Sequence, residues 1–363
     1  MDLQVTQENL NKALNNVARV ATGRTTLPIL NNVLIQTTNN QLRISATNLD
    51  IAISQQIGTK IKTEGSLTVP ARLFQDFVSN LPKTTISLKQ NENRLHLSAE
   101  NYKSIINGTA IDDYPIMPAL QSEESFTIPA QEMKQALQQV IFSASSDESR
   151  PVLTAVYLYS YNGKLIIVAT DSYRLAEKTI GDIDKEVKLL IPVSAMGDLL
   201  RIINDQSGDI KVSYDEQQVC FKVDNIELIA RLIEGNYPDY KKLIPENFSK
   251  KAVVSKKELL TITKISGLFS RENAGSINVL ISENSQSLSV KSIASQVGEN
   301  ESKTQGEVIG EGDITLNSRY LLDGLQAIEG EDVSFCFNEK LEAIIIKNEI
   351  ISNYVHVIMP LKS

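Results

Sequence analysis

Tryptophan is absent from this 363-residue chain, which also holds only two cysteines and two histidines. Cys220 and Cys336 lie in strand-like runs, so no disulfide framework organises the fold, and two buried free thiols in a reducing cytoplasm are expected. His96 and His356 fall on separate alternating segments, a spacing that suits neither a metal cluster nor a shared catalytic base. No GxxxxGK[ST], HExxH, paired CxxC or GxSxG occurs. Nucleotide hydrolysis and the common hydrolytic chemistries therefore have no motif to rest on, and neither cofactor nor metal is expected. Apolar runs stay short, as in Ala343–Ile346, far below the roughly 20 residues of a membrane helix. Met1-Asp2-Leu3-Gln4 has neither the basic start nor the apolar core of a secretion signal. A cytoplasmic protein with no membrane partner is the expectation. Excess positive charge is missing too: 36 Lys and Arg stand against 44 Asp and Glu, a net charge of −8. That excludes a uniformly basic nucleic-acid binder, though not a basic surface on an acidic body.

What the chain does have is a repeat. An apolar helical segment around Leu14 recurs around Leu137 and Leu260, a step of 123 residues. The strand-like runs Leu42–Ser45, Leu165–Val168 and Leu288–Lys291 follow at the same offset. The first two continue into matching Ala46-Thr47-Asn48 and Ala169-Thr170-Asp171. A period this long is a whole domain rather than a solenoid unit. Within each copy, a helix with apolar residues at helical spacing precedes alternating strands, and an extended entry then leads to a second short helix and more strands. The pattern predicts an α+β fold of three tandem domains, 1–120, 121–246 and 247–363, each with two helices and about eight strands. Two helices side by side on sheets leave their outer faces exposed together. Three such domains joined edge to edge by strands would form an arc with open sheet edges, a liability that closure removes. Head-to-tail pairing of two arcs would close a ring.

Several segments carry a specific resemblance. They are Thr26-Leu27-Pro28-Ile29-Leu30, Val168–Ala176, Tyr237-Pro238-Asp239-Tyr240 and Val357-Ile358-Met359-Pro360-Leu361-Lys362. In this order and spacing the chain resembles the bacterial DNA polymerase III beta subunit family, the sliding clamps, over its full length. The resemblance implies DNA-clamp domains in a head-to-tail homodimeric ring with helices lining the hole, through which duplex DNA passes without sequence readout. It also implies a pocket for short peptides of the polymerase III alpha subunit, the clamp-loader complex and other clamp-binding-motif proteins. Tethering for processive synthesis, with no catalysis, is the implied function.

Charge placement supports that reading. The predicted helices, residues 8–20, 71–81, 132–142, 194–204, 256–269 and 319–328, carry nine Lys and Arg against six Asp and Glu. A mildly basic lining inside an acidic shell suits non-specific phosphate contact. By resemblance, Arg24 in the loop after the first helix, Arg72 and Arg201 on second helices, and Arg150 in the matching loop of copy two would meet DNA; Asp147 and Glu148 make this last loop acidic. The peptide pocket would take in Leu153, Thr170, Tyr173, Arg174, Leu175, Pro238, Lys242, Leu243, Leu341, Ala343, Val357, Ile358, Met359, Pro360 and Leu361. These form an adaptable apolar groove with Arg174 and Lys242 solvated at its rim. Ser172-Tyr173 replaces the Gly-His often seen in the family, a change bearing on peptide preference. The dimer seam would join the strand carrying Ile105 and Ile106 to the region of Leu268 and Phe269. Ser104 stands there where a well-known relative has an aromatic residue, and Glu299-Asn300-Glu301 would add rim ion pairs. Two other classes fit the composition: an enzyme built on scattered carboxylates such as Asp171 and Asp239, and a monomeric three-domain scaffold that binds protein without encircling DNA.

Overall fold

The computed structural model describes residues 1–22, 27–115, 120, 124–245, 247–270, 274–294 and 298–361. Arg24, Thr26, Met117, Pro118 and Lys362 lie outside them. The first copy runs β1 (Asp2–Thr6), α1 (Gln7–Val17), β2 (Asn32–Thr38), β3 (Gln41–Thr47), β4 (Ile51–Gly58), β5 (Lys60–Thr63), β6 (Ser66–Pro70), α2 (Ala71–Ser79), β7 (Thr85–Asn91), β8 (Arg94–Ala99) and β9 (Tyr102–Asn107). The second runs β10 (Glu124–Pro129), α3 (Ala130–Val140), β11 (Ala155–Tyr161), β12 (Lys164–Thr170), β13 (Arg174–Asp182), β14 (Lys188–Pro192), α4 (Val193–Ile202), β15 (Asp209–Tyr214), β16 (Gln218–Val223) and β17 (Ile226–Arg231). The third runs β18 (Lys250–Ser255), α5 (Lys256–Phe269), β19 (Ser276–Ser282), β20 (Ser287–Ala294), β21 (Gly298–Ile309), β22 (Gly312–Asn317), α6 (Ser318–Ala327), β23 (Asp332–Phe337), β24 (Ile344–Lys347) and β25 (Tyr354–Ile358).

Two helices per copy appear as the periodicity predicts. The first copy has a ninth strand because the chain leaves β4 at Gly58 and crosses sheets, so that β5 pairs with β1. Helix α1 stops at Val17, short of the predicted residue 20, and the following turn is a 3-10 helix over Val20–Thr22. Arg19 therefore lies beyond the helix. Local sequence explains the rest. Leu10, Ala13, Leu14 and Val17 form one fully buried stripe of α1, and Leu42, Ile44 and Ala46 alternate inward on β3, as periods of 3.6 and 2 require. The Asn317 side chain caps α6 by accepting from the Arg319 N–H at 2.9 Å,.

The chain divides into two compact units, and the middle copy is shared between them: residues 1–133 with 194–232, and residues 134–193 with 233–363. The first unit holds a five-stranded sheet, β5-β1-β7-β8-β9, and an eight-stranded sheet, β10-β15-β16-β17-β4-β3-β2-β6. The second holds one twelve-stranded sheet, β14-β11-β12-β13-β25-β24-β23-β18-β21-β20-β19-β22. Successive copies are thus joined by strand pairing, β17 with β4 and β13 with β25, both antiparallel. The twelve-stranded sheet is continuous because β21 first pairs with β20 and then, from Gly306, with β18. A Cβ at Gly306 would lie 2.2 Å from the Val253 carbonyl oxygen. Only glycine lets the two backbones close there.

Candidate peptide-binding pocket and helix-face cations

The pocket grows from one face of the twelve-stranded sheet. On β11, Tyr157 and Tyr159 point to the same side, and their rings stack at 4.6 Å. With Ile166, Val168, Leu175, Ile345 and Val357 they form an apolar floor. The connection after the middle copy runs over this floor and plugs it with Tyr240, which is 4% exposed. The Tyr240 hydroxyl meets that of Tyr159 at 2.5 Å and donates to the Glu177 carboxylate. Burial beside Glu177 raises the Tyr240 pKa far above the usual phenol value, so the hydroxyl stays a donor throughout the physiological range.

At the edge of this plug lies a cavity of about 130 Å³, lined by Leu153, Thr170, Ser172, Arg174, Leu175, Pro238, Tyr240, Leu243, Ile244, Val357 and Met359. Its rim is a tight turn. The Asp171 carboxylate accepts from the backbone N–H groups of Tyr173 and Arg174, both at 2.9 Å, and the Thr170 hydroxyl accepts from that of Ser172 at 3.1 Å. Ser172 is forced to φ +78°. The first copy repeats the device, with Asn48 as acceptor and Leu49 at φ +80°. Both turns thus hold a non-glycine residue in the left-handed region that glycine adopts most readily,. The opposite rim is fixed by the Met359 N–H, which donates to the Tyr173 carbonyl at 2.8 Å.

Eight of the expected pocket residues meet at this cavity: Leu153, Thr170, Arg174, Leu175, Pro238, Leu243, Val357 and Met359. Ser172, expected to bear on peptide preference, lines the cavity too, and Tyr240 and Ile244 join it without having been expected, although they lie within or beside the sequence segments that carry the resemblance. Other positions need correction. Ile358 is fully buried, because strand alternation turns it to the sheet face opposite Val357. Ala343 packs into the floor, and Leu341 is 63% exposed outside the cavity lining. Pro360 and Leu361 are half-buried, and the Leu361 N–H is held by the Thr315 carbonyl at 2.9 Å. Tyr173 and Lys242 are exposed beside the cavity, and Lys242 pairs with Asp239 at 2.7 Å.

The largest correction concerns Arg174. Its side chain is 10% exposed, with ion pairs to Asp323 at 2.5 Å and Asp171 at 3.1 Å. It donates to the Phe142 carbonyl at 2.7 Å and lies over the Phe142 and Tyr320 rings. It is a pocket wall tied to α6, not a solvated rim cation. Arg150, expected at DNA, donates to the Ser172 hydroxyl at 3.1 Å and pairs with Asp147, so it stands beside the cavity rim.

Exposed cations stand on the helices. In the first unit Lys12 and Arg72 project from α1 and α2, which pack together, and Arg72 is 4.0 Å from Asp76. Arg201 on α4 is exposed and paired with Asp198 at 2.9 Å. In the second unit Lys257, Lys264 and Arg319 project from α5 and α6. At the expected seam Ile105 and Leu268 are 56% and 57% exposed and Phe269 is half-buried. Ile106 is 2% exposed.

Three copies of one two-helix α+β unit, chained by strand pairing, define the clamp-domain class of DNA polymerase III accessory proteins. The chain belongs to the DNA polymerase III beta subunit family. Its N-terminal, central and C-terminal domain models match residues 1–118, 127–239 and 241–362. The chain is 28% identical to the beta sliding clamp of Bacillus subtilis and 27% identical to that of Staphylococcus epidermidis, in each case over all of both chains. Among solved structures, the Bacillus subtilis DNA polymerase sliding clamp superposes with a TM-score of 0.95 at 26% identity, covering 100% of this chain and 99% of that one. A Bartonella birtlesii DnaN sliding clamp bound to griselimycin gives 0.95 at 25% identity, with both chains fully covered.

Proposed function

We infer that two copies of this chain close into a ring that encircles duplex DNA and tethers the replicative polymerase and repair proteins to it. It acts as a processivity factor without chemistry of its own. The observation that carries the reading is the way the copies are joined: each junction adds a strand of one copy to a sheet of the next, whereas β9 and the start of β21, which hold the matching positions in the first and third copies, have no such strand beside them among the described residues. A second copy satisfies both edges at once. The three clamp domains are taken as 1–120, 121–246 and 247–363, and the working compartment as the cytoplasm, where bacterial DNA lies. Lys12, Arg24, Arg72 and Arg201 serve DNA by non-specific phosphate contact, whereas Arg150 belongs with the peptide pocket.

Native mass should read about 80 kDa, twice the 40.2 kDa chain. Loaded on a nicked circle by a compatible loader with ATP, the protein should persist at moderate salt and leave when the circle is cut. A monomer, or equal retention on linear DNA, would favour a protein-binding scaffold instead. For the pocket, Leu243→Asp places a charge at its exposed lip and should weaken a labelled polymerase-type peptide by at least about tenfold in fluorescence anisotropy. The ring and its retention on DNA should be unaffected. Unchanged peptide affinity would put the partner site elsewhere.

A further inference from the structure

The two junctions inside the chain share one register, and that register fixes a third. Following the pairing outward from the start of each first helix, Leu3 faces Leu88, which faces Leu97, which faces Ser104. Phe126 leads in the same way through Val212 and Phe221 to Leu228. Ala252 leads through Phe335 and Ile346 to His356. Ser104, Leu228 and His356 are therefore equivalent. Counting back from each second helix makes Val69, Ile191 and Leu316 equivalent, and the ladders from there lead to Ile53, Ala176 and Asn300. In the first unit Leu228 pairs with Ile53, and in the second His356 pairs with Ala176.

Backbone hydrogen bonds agree as well. Gln56 N–H to Asn225 carbonyl and Arg231 N–H to Asp50 carbonyl bracket the first junction. Met359 N–H to Tyr173 carbonyl and Thr179 N–H to Asn353 carbonyl bracket the second. Both central pairs are consequently of the non-hydrogen-bonded kind, in which side chains approach most closely.

Ser104 lies on β9, the edge of its sheet. Asn300 lies on the part of β21 that has β20 on one side and no strand on the other among the described residues. We propose that the seam between copies sets Ser104 opposite Asn300 of the second copy, and that its centre is polar where both seams within the chain are sealed. This rests on the ring reading and specifies its joint. At the centres of the internal seams Ile53, Leu228, Ala176 and His356 are at most 1% exposed. The side of the third seam that β21 supplies is Gly298, Asn300 and Ser302, with the Asn300 carboxamide oxygen accepting from the Ser266 hydroxyl at 2.9 Å. Across from these stand Ile106, Ser104 and Tyr102. The same register sets Lys103 opposite Glu301, a complementary pair, where the first junction has Glu227 against Ser54. Apolar closure then falls to the exposed Leu268 at the end of α5. With little apolar area at its centre the joint is separable, and copies exchange while the internal seams hold.

The test begins with the native mass of the full chain over a dilution series. Ser104→Cys combined with Asn300→Cys should give a covalent dimer on mild oxidation, since a close antiparallel pair meets disulfide geometry. Ser104→Cys combined with Glu299→Cys, whose side chains face opposite sides, should not, nor should the parent chain. Ser104→Leu with Asn300→Ile, which installs the pair found at the first junction, should tighten the dimer by at least about tenfold. Lys103→Glu should loosen it, and adding Glu301→Lys should restore it. A dimer that cross-links off register, or that the Leu/Ile pair fails to tighten, overturns this seam while leaving the ring intact. A chain that stays monomeric at every concentration removes both.

Discussion

The two seams within the chain use one backbone geometry and opposite chemistry. In the first unit Ile51, Ile53 and Gln55 face Ala230, Leu228 and Ile226, an almost wholly apolar contact. In the second, Arg174, Ala176 and Lys178 face Ile358, His356 and Tyr354. The second seam is closed by compensation instead: Arg174 by Asp171 and Asp323, and Lys178 by Asn353 at 3.0 Å and Glu329 at 3.5 Å. His356 packs on the Phe142 ring at 5.7 Å and on Gly324 of α6. Strand pairing alone therefore sets the joint, and side chains decide what else it does. The candidate pocket sits beside the polar seam, and Arg174 belongs to both.

The comparison breaks most sharply at Arg174. Arg174→Ala leaves Asp171 and Asp323, 16% and 27% exposed, without their cation, and should cost about 3–5 kcal/mol in urea unfolding. A loss below about 1 kcal/mol would show that water already screens the network. Leu228→Ala at the apolar seam opens a cavity instead and should cost about 3 kcal/mol, with no change in the pH dependence of stability. Next comes Gly324→Ala. The added Cβ would lie 2.4 Å from His356 Cδ2, an overpacking worth about 2 kcal/mol. A His356→Ala background should remove most of that penalty in a double-mutant cycle, and additive losses would deny the contact.

The smallest effect near neutrality is titration. Burial, reinforced by the Arg174 charge, lowers the His356 pKa from 6.5 to about 3. The folded imidazole stays neutral while the unfolded one takes up a proton. Its contribution is complete above the unfolded value, declines as pH falls below about 6.5, and is exhausted near the folded value. Roughly 1 kcal/mol should be lost between pH 6.5 and 5.5, and His356→Gln should flatten that portion of the thermal-stability profile. An equally steep profile in the variant would assign the dependence to other groups.

Much of the architecture was legible because it depends on short-range periodicity. The stripe Leu10-Ala13-Leu14-Val17 and the alternation Leu42-Ile44-Ala46 specify their elements unaided, and the 123-residue step marks three copies. The pocket was half legible. Leu175, Val357 and Met359 were found through the resemblance of their segments, but Ile358 shares a segment with two of them and faces the other way. Tyr240 was missed because its role as a plug depends on a connection lying over a sheet assembled from two different copies. Arg174 was misjudged as solvated for the same reason: Asp323, its tightest partner, is 149 residues away.

By itself the sequence determined the kind of elements, the two helices of each copy and their threefold recurrence, since each follows from the spacing of apolar residues along a few turns or one strand. Only the tertiary structure decided which strands of different copies pair and in what register, and which charges are buried against each other. Those outcomes depend on contacts between residues far apart in the chain. Local periodicity encodes the faces that such contacts use, but not the partners they find.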